Sequence, residues 1–173
     1  MKSIVRYGVI SGLVVVIISL LIRAFGSGDW SYQTQEILGY ISMLLGLSFV
    51  YLGIRHDKQI LQVSTSETYS FGRGMRTGAG ISLLSALIFA IFVVILFIAN
   101  PGLGDDLINK YVEGLESKGL TQEEMDMAMQ RMENVPGWLK KPSGQGFIMF
   151  MTVFPLGLIM TLISSFLLRS KKA

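Results

Sequence analysis

Four stretches of the chain hold no ionisable side chain, and each is close to the length at which a helix crosses a bilayer. A hydrocarbon core of roughly 30 Å takes about 20 helical residues at 1.5 Å each. The first run, Tyr7–Ile22, lies between Arg6 and Arg23 and predicts a span over 7–24, with both arginine heads snorkelling outward. The second predicts a span over 37–54, diluted by Gly39, Gly46 and Gly53. The third, 77–99, is the most apolar, with fourteen Leu, Ile, Val or Phe residues. The fourth, 147–168, carries Pro155 and Gly157 near its middle, and the proline predicts a kink. Four such runs predict an all-α fold: an integral membrane four-helix bundle forming a single membrane domain over 1–173.

Between the third and fourth spans the periodicity changes. Leu107, Ile108, Tyr111, Val112 and Leu115 recur at helical spacing among acidic and polar residues, and Gly119 is a natural stop. Thr121 with Glu124 three residues on forms a capping box for a second helix, which Pro136-Gly137 ends. Residues 103–135 therefore predict a helical hairpin outside the membrane. Its apolar faces pack on each other or lie on the bilayer. In a sharper reading Met125, Met129 and Met132 form a partner surface, because flexible thioethers suit adaptable docking. Copper(I) is the weaker use of these methionines, since they straddle two helix faces with no Cys or His nearby.

Small residues recur along every span. In lipid no hydrophobic drive pulls helices together, so close backbone approach at small residues matters most. The helix-packing positions are Gly8 and Gly12 in the first span, Gly39, Gly46 and Gly53 in the second, Gly78 and Ser82 in the third, and Gly157 in the fourth. Any one stripe can serve the bundle or a homo-oligomer.

Composition agrees with the pattern: 51% of residues are hydrophobic and 16% charged, against roughly a quarter charged in soluble domains. With no cysteine, disulfides, thiolate metal sites and cysteine nucleophiles are excluded. One histidine, His56, cannot build a His-pair metal site, and it reads as part of a solvated loop beside Asp57 and Lys58. No cofactor is expected, and the net charge of +3 is too small and dispersed for nucleic acid.

Charge is instead informative about orientation. Four spans put both termini and the second loop on one side, with Lys2, Arg6, Arg55, Lys58, Arg73, Arg76, Arg169, Lys171 and Lys172. The opposite side holds Arg23, Lys110, Lys118, Arg131, Lys140 and Lys141, several of them deep in a long loop where they count less. Positive charge stays inside, so both termini are expected in the cytoplasm of a multi-pass inner-membrane protein. Arg6, Arg23, Arg73 and Arg76 are expected at lipid headgroups, and Trp30, Tyr32 and Trp138 as interfacial anchors. Residues 1–26 also fit a cleavable leader ending at Ala24-Phe25-Gly26, but Arg23 and the packing residues Gly8, Ser11 and Gly12 favour a retained span.

Chemical motifs are sparse. Gly72-Arg73-Gly74-Met75-Arg76-Thr77-Gly78 lacks the spacing and lysine of a phosphate loop, so its glycines are expected to relax the start of span three. Asp105-Asp106 and Glu123-Glu124 sit where they complement helix dipoles. The spans offer only hydroxyl chemistry, including Tyr40, Tyr51, Ser82, Ser85 and Thr161, which weakens a proton-coupled pathway.

Several short motifs carry a resemblance. They are Tyr7-Gly8-x-x-Ser11-Gly12, Leu38-Gly39-Tyr40-x-Ser42-Met43, Gly53-Ile54-Arg55 and Tyr69-Ser70-Phe71-Gly72, followed by the acidic, Met-rich outer segment. Together the chain resembles a small four-span bacterial inner-membrane family of unknown function, over nearly its whole length. The resemblance implies no catalytic or ligand residue. Tetraspanin-like architecture shares the order of small and large loops but has cysteines that this chain lacks. The expected function is a non-enzymatic accessory or interaction module whose partners are the bilayer and a second copy or another membrane protein. The alternative is a small transporter or channel subunit for a neutral solute.

Overall fold

The computed structural model describes residues 2–26, 30–65, 68–116 and 121–170, without the side chains of Tyr32, Thr65, Met132 and Glu133. Lys118, Gly119, Lys171, Lys172 and the side chains of Tyr32 and Met132 thus lie outside the described residues. Among those described there are six helices and no strand: α1 (Lys2–Phe25), α2 (Tyr32–Thr65), α3 (Phe71–Ala99), α4 (Leu103–Glu116), α5 (Gln122–Glu133) and α6 (Pro142–Leu168). Four of them, α1, α2, α3 and α6, are long and apolar enough to cross a membrane.

The four long helices form the bundle. Helix α3 packs on both α6 and α1, and α2 closes the group against all three. Val15, Leu47, Val50, Ile54, Ile81 and Val153 have no exposed surface and fill the axis. Ser11, Ser82, Ser85 and Thr161 are buried with them, whereas Leu13, Ile17, Leu44, Ile91, Ile95 and Phe166 point outward. Small hydroxyl residues inside and large aliphatic ones outside reverse the soluble pattern and suit a surrounding of lipid.

Four of the buried hydroxyls are bonded across helices, whereas Ser42 Oγ bonds within α2 and Ser165 Oγ has no partner among the described residues. Ser11 Oγ donates to the Gly46 carbonyl at 2.8 Å and lies 3.0 Å from Ser85 Oγ, joining α1, α2 and α3. Ser82 Oγ and Thr161 Oγ1 are 3.2 Å apart between α3 and α6. Pro155 stands inside α6 with its exposed ring turned outward, and Met151 loses the helical partner of its carbonyl.

Helix limits depart from the uncharged runs. The 34 residues of α2 span about 51 Å, far more than the hydrocarbon thickness. Its last eleven residues, 55–65, project beyond the apolar stretch, so His56, Asp57 and Lys58 are helical and half-buried rather than in a solvated loop. No glycine or proline interrupts this stretch, and polar side chains do not themselves end a helix. Helix α3 begins at Phe71 instead of 77, capped by Ser70, whose Oγ accepts from the Arg73 N–H at 3.2 Å. The glycine-rich segment 72–78 is thus regular helix rather than a relaxed lead-in. Similarly, α6 starts at Pro142, five residues before the fully apolar run, with proline in the first turn where its missing N–H costs nothing.

Beyond the bundle, α4 rests on α2 and buries Leu103 and Leu115, while residues 117–120 lie outside the described residues. The capping box of α5 is formed: the Thr121 N–H and Oγ1 both donate to Glu124 Oε2 at 3.0 Å. These bonds, the backbone one foremost, hold the Glu124 carboxyl below its ordinary range.

Candidate functional site

The densest polar chemistry lies where the start of α1, the end of α2, the start of α3 and the end of α6 converge, here termed the terminal end. Asp57 stands one turn beyond Ile54, the last axis residue of α2. Its Oδ2 accepts from Tyr69 OH at 3.1 Å, Arg73 Nε at 3.1 Å and Thr77 Oγ1 at 3.2 Å. Thr77 and Arg73 are one turn apart on one face of α3, and Tyr69 lies four residues before Arg73 in the connection ahead of that helix, so one carboxylate meets three donors. The carboxylate is largely shielded while Arg73 is half-exposed, at 15% and 43%. A pair so placed keeps part of its charge attraction, with solvent screening the rest.

Two further links close the ring. Ser170 N–H donates to the Tyr69 carbonyl at 2.9 Å, and Tyr69 N–H donates to Ser170 Oγ at 3.2 Å, tying the segment before α3 to the chain leaving α6. Ser3 Oγ lies 3.3 Å from His56 Nδ1, and the His56 ring lies 5.4 Å from that of Tyr7. Every long helix is therefore held at this end by a polar bond or ring contact. Among the described residues there is no group of three or more His, Asp or Glu side chains that could hold a metal ion. The arrangement is a clasp that fixes helix ends.

Tyr69, in the connection before α3, is buried. That burial, reinforced by the adjacent Asp57 charge, pushes its phenol well above the usual range. The neutral phenol is thus the native donor. At pH values below the ordinary phenol pKa of about 10, folded and unfolded chains are both protonated there and this group adds no pH dependence. Above it the unfolded chain ionises first, binds fewer protons, and stability falls as pH rises. In detergent, Tyr69→Phe is expected to flatten the alkaline loss of thermal midpoint between pH 9 and 11 relative to the parent protein; equal slopes would contradict the clasp.

The glycines expected at helix seams occupy different settings. A methyl group added at Gly8 or Gly12 would come within 2.9 Å of Leu84 or Ile88 on α3. At Gly46 it would strike Val15, at Gly53 Ile81, at Gly78 Thr161, and at Gly157 Ser82. Gly39 differs, since nothing stands within 4 Å of that position. Gly74, Gly144 and Gly146 are equally crowded, against Ser165, the Trp138–Leu139 backbone and Val94.

The remaining expected residues are scattered. Arg6 and Arg76 are exposed at the terminal end, Arg6 with its guanidinium 5.8 Å from the Tyr7 ring. Arg73 is not a bare rim cation, because Asp57 holds it. Arg23 is exposed at the opposite, loop end. On α5, Met129 is exposed and Met125 half-buried, with Met127 also exposed.

Fold and site together define the class: a helical protein with four membrane-length apolar helices, clasped by side chains at the end where α1 begins and α6 finishes. Within that class, the chain belongs to the family described as Protein of unknown function (DUF4199), whose model matches residues 6–170. No curated protein and no solved structure matches the chain.

Proposed function

We propose that this chain is a non-enzymatic accessory protein of the bacterial inner membrane, with both termini cytoplasmic and α4 and α5 displayed outside. The observation that carries this reading is the filled axis: Val15, Leu47, Ile54, Ile81 and Val153 occupy the centre of the bundle with no exposed surface. Such a core serves as a mount rather than a conduit. The partners in this reading are the bilayer and either a second copy or another membrane protein, met by the exposed methionine side of α5.

Orientation rests on the cationic terminal end, where Lys2, Arg6, Arg55, Arg76 and Arg169 flank the helix ends. A reporter fused after Ala173 is expected to be active only in the cytoplasm; activity outside would overturn the orientation. Function is tested in two arms. A membrane partner retained in mild detergent by the full chain is expected to be lost on deletion of 103–135. Proteoliposomes are expected to show no solute flux above empty vesicles, and flux of a neutral solute would replace the accessory reading with transport.

A further inference from the structure

At the loop end, α1 and α4 stand apart and leave a cleft of about 690 Å³, within the range of roughly 300–1,000 Å³ common for ligand sites. Its main walls are the end of α1 and one face of α4, with Gln35 of α2 also lining it. Ser19, Ile22, Arg23 and Gly26 line the α1 side, and Leu103, Asp106, Leu107 and Lys110, with Glu113 a turn further, line the α4 side. Ser19 belongs to the uncharged run of the first span, so the cleft reaches about one turn below Arg23 into the depth of the hydrocarbon. Ile22, Leu103 and Leu107 give it apolar wall. Arg23 and Lys110 give two cations, Asp106 and Glu113 two carboxylates, and among the described residues none of the four is ion-paired.

We propose that this cleft binds the headgroup of a zwitterionic phospholipid that carries a phosphate and a primary ammonium. Arg23 and Lys110 take the phosphate, Asp106 and Glu113 take the ammonium, and the acyl chains run down the Ile22 side of α1 into the bilayer. A purely anionic ligand would leave both carboxylates opposed to it, and a purely cationic one both cations. A primary ammonium offers N–H donors to the carboxylates, whereas a trimethylammonium offers none. The proposal rests on the membrane reading of the four long helices but not on the accessory role.

The test is lipid retention by the purified full chain in detergent, read by native mass spectrometry. The probes are phosphatidylethanolamine, phosphatidylcholine and phosphatidylglycerol with identical acyl chains. The ethanolamine lipid is expected to be retained about tenfold over the other two, as charge-assisted hydrogen bonds imply. The double variant R23Q/K110Q is expected to lose all three lipids, whereas D106N/E113Q should abolish only the preference for the ethanolamine lipid over the other two. Thermal midpoints without added lipid check that both variants fold. Equal retention of the three lipids, or a preference untouched by both variants, would overturn the proposal. Displacement of the lipid by equimolar O-phosphoethanolamine would overturn the lipid assignment in favour of a soluble zwitterion. If the membrane reading itself fails, the chain stays dispersed without surfactant, which is seen before any lipid is added.

Discussion

Leucine in place of Gly46 is expected to destabilise the bundle by about 3 kcal/mol or more, lowering its thermal midpoint in detergent and dispersing its size-exclusion peak. At Gly46, α2 packs closely on α1: a Cβ there would overlap Val15 and stand 3.1 Å from the Ser11 carbonyl oxygen. The obstacle therefore includes backbone, which cannot swing aside. Forcing bulk into such a seam costs about 1–3 kcal/mol by itself. Separating the helices would also break the Ser11 bond to the Gly46 carbonyl and disturb its pairing with Ser85, at about 1 kcal/mol each. Two controls isolate the cause. Leu45→Ile, on the exposed face, should stay within about 0.5 kcal/mol of the parent. Gly39→Leu has open space and replaces a poor helix former, so it should be neutral or slightly stabilising. Equal losses for Gly39→Leu and Gly46→Leu would refute the packing account.

Removing the Asp57 carboxylate is the second large effect. Asp57→Ala is expected to cost about 2 kcal/mol and to speed amide exchange over 55–65. Of its three donors, Arg73 can turn to solvent, but Tyr69 OH and Thr77 Oγ1 are attached to buried residues. Leaving a buried donor unpaired costs about 1–3 kcal/mol, more than an average hydrogen bond contributes. Asp57→Asn keeps an acceptor and loses the charge, so roughly half the effect is expected. In the double variant with Tyr69→Phe the losses should fall short of additive, because both substitutions delete one bond. Unchanged exchange in the α2 overhang would show that the clasp does not hold it.

The spans were legible because lipid imposes a blunt rule: an uncharged run of sufficient length has few other places to go. Their ends were less so. The charges at Arg55, Asp57 and Lys58 mark where α2 leaves the apolar layer, yet the helix continues, since leaving lipid and ending a helix are separate events. The family resemblance drawn from the short glycine and tyrosine motifs agrees with the match over residues 6–170. The clasp was hidden because it joins residues from twelve to 101 positions apart on different elements. Its sole linear trace is Tyr69-x-x-x-Arg73-x-x-x-Thr77, a row of donors at helical spacing that needs an acceptor opposite. At Gly39 the small-residue stripe faces open space rather than another helix of this chain, which spacing along the sequence does not distinguish.

Because the chain contains no cysteine, a single introduced thiol reports its own side of the membrane without background. Gln62 on the α2 overhang and Gln130 on α5 are both exposed, at opposite ends of the molecule. With a membrane-impermeant maleimide on intact cells, Gln130→Cys is expected to label at once and Gln62→Cys only after the inner membrane is opened. Immediate labelling of both, or the reverse order, would contradict a four-span bundle with its clasp facing the cytoplasm.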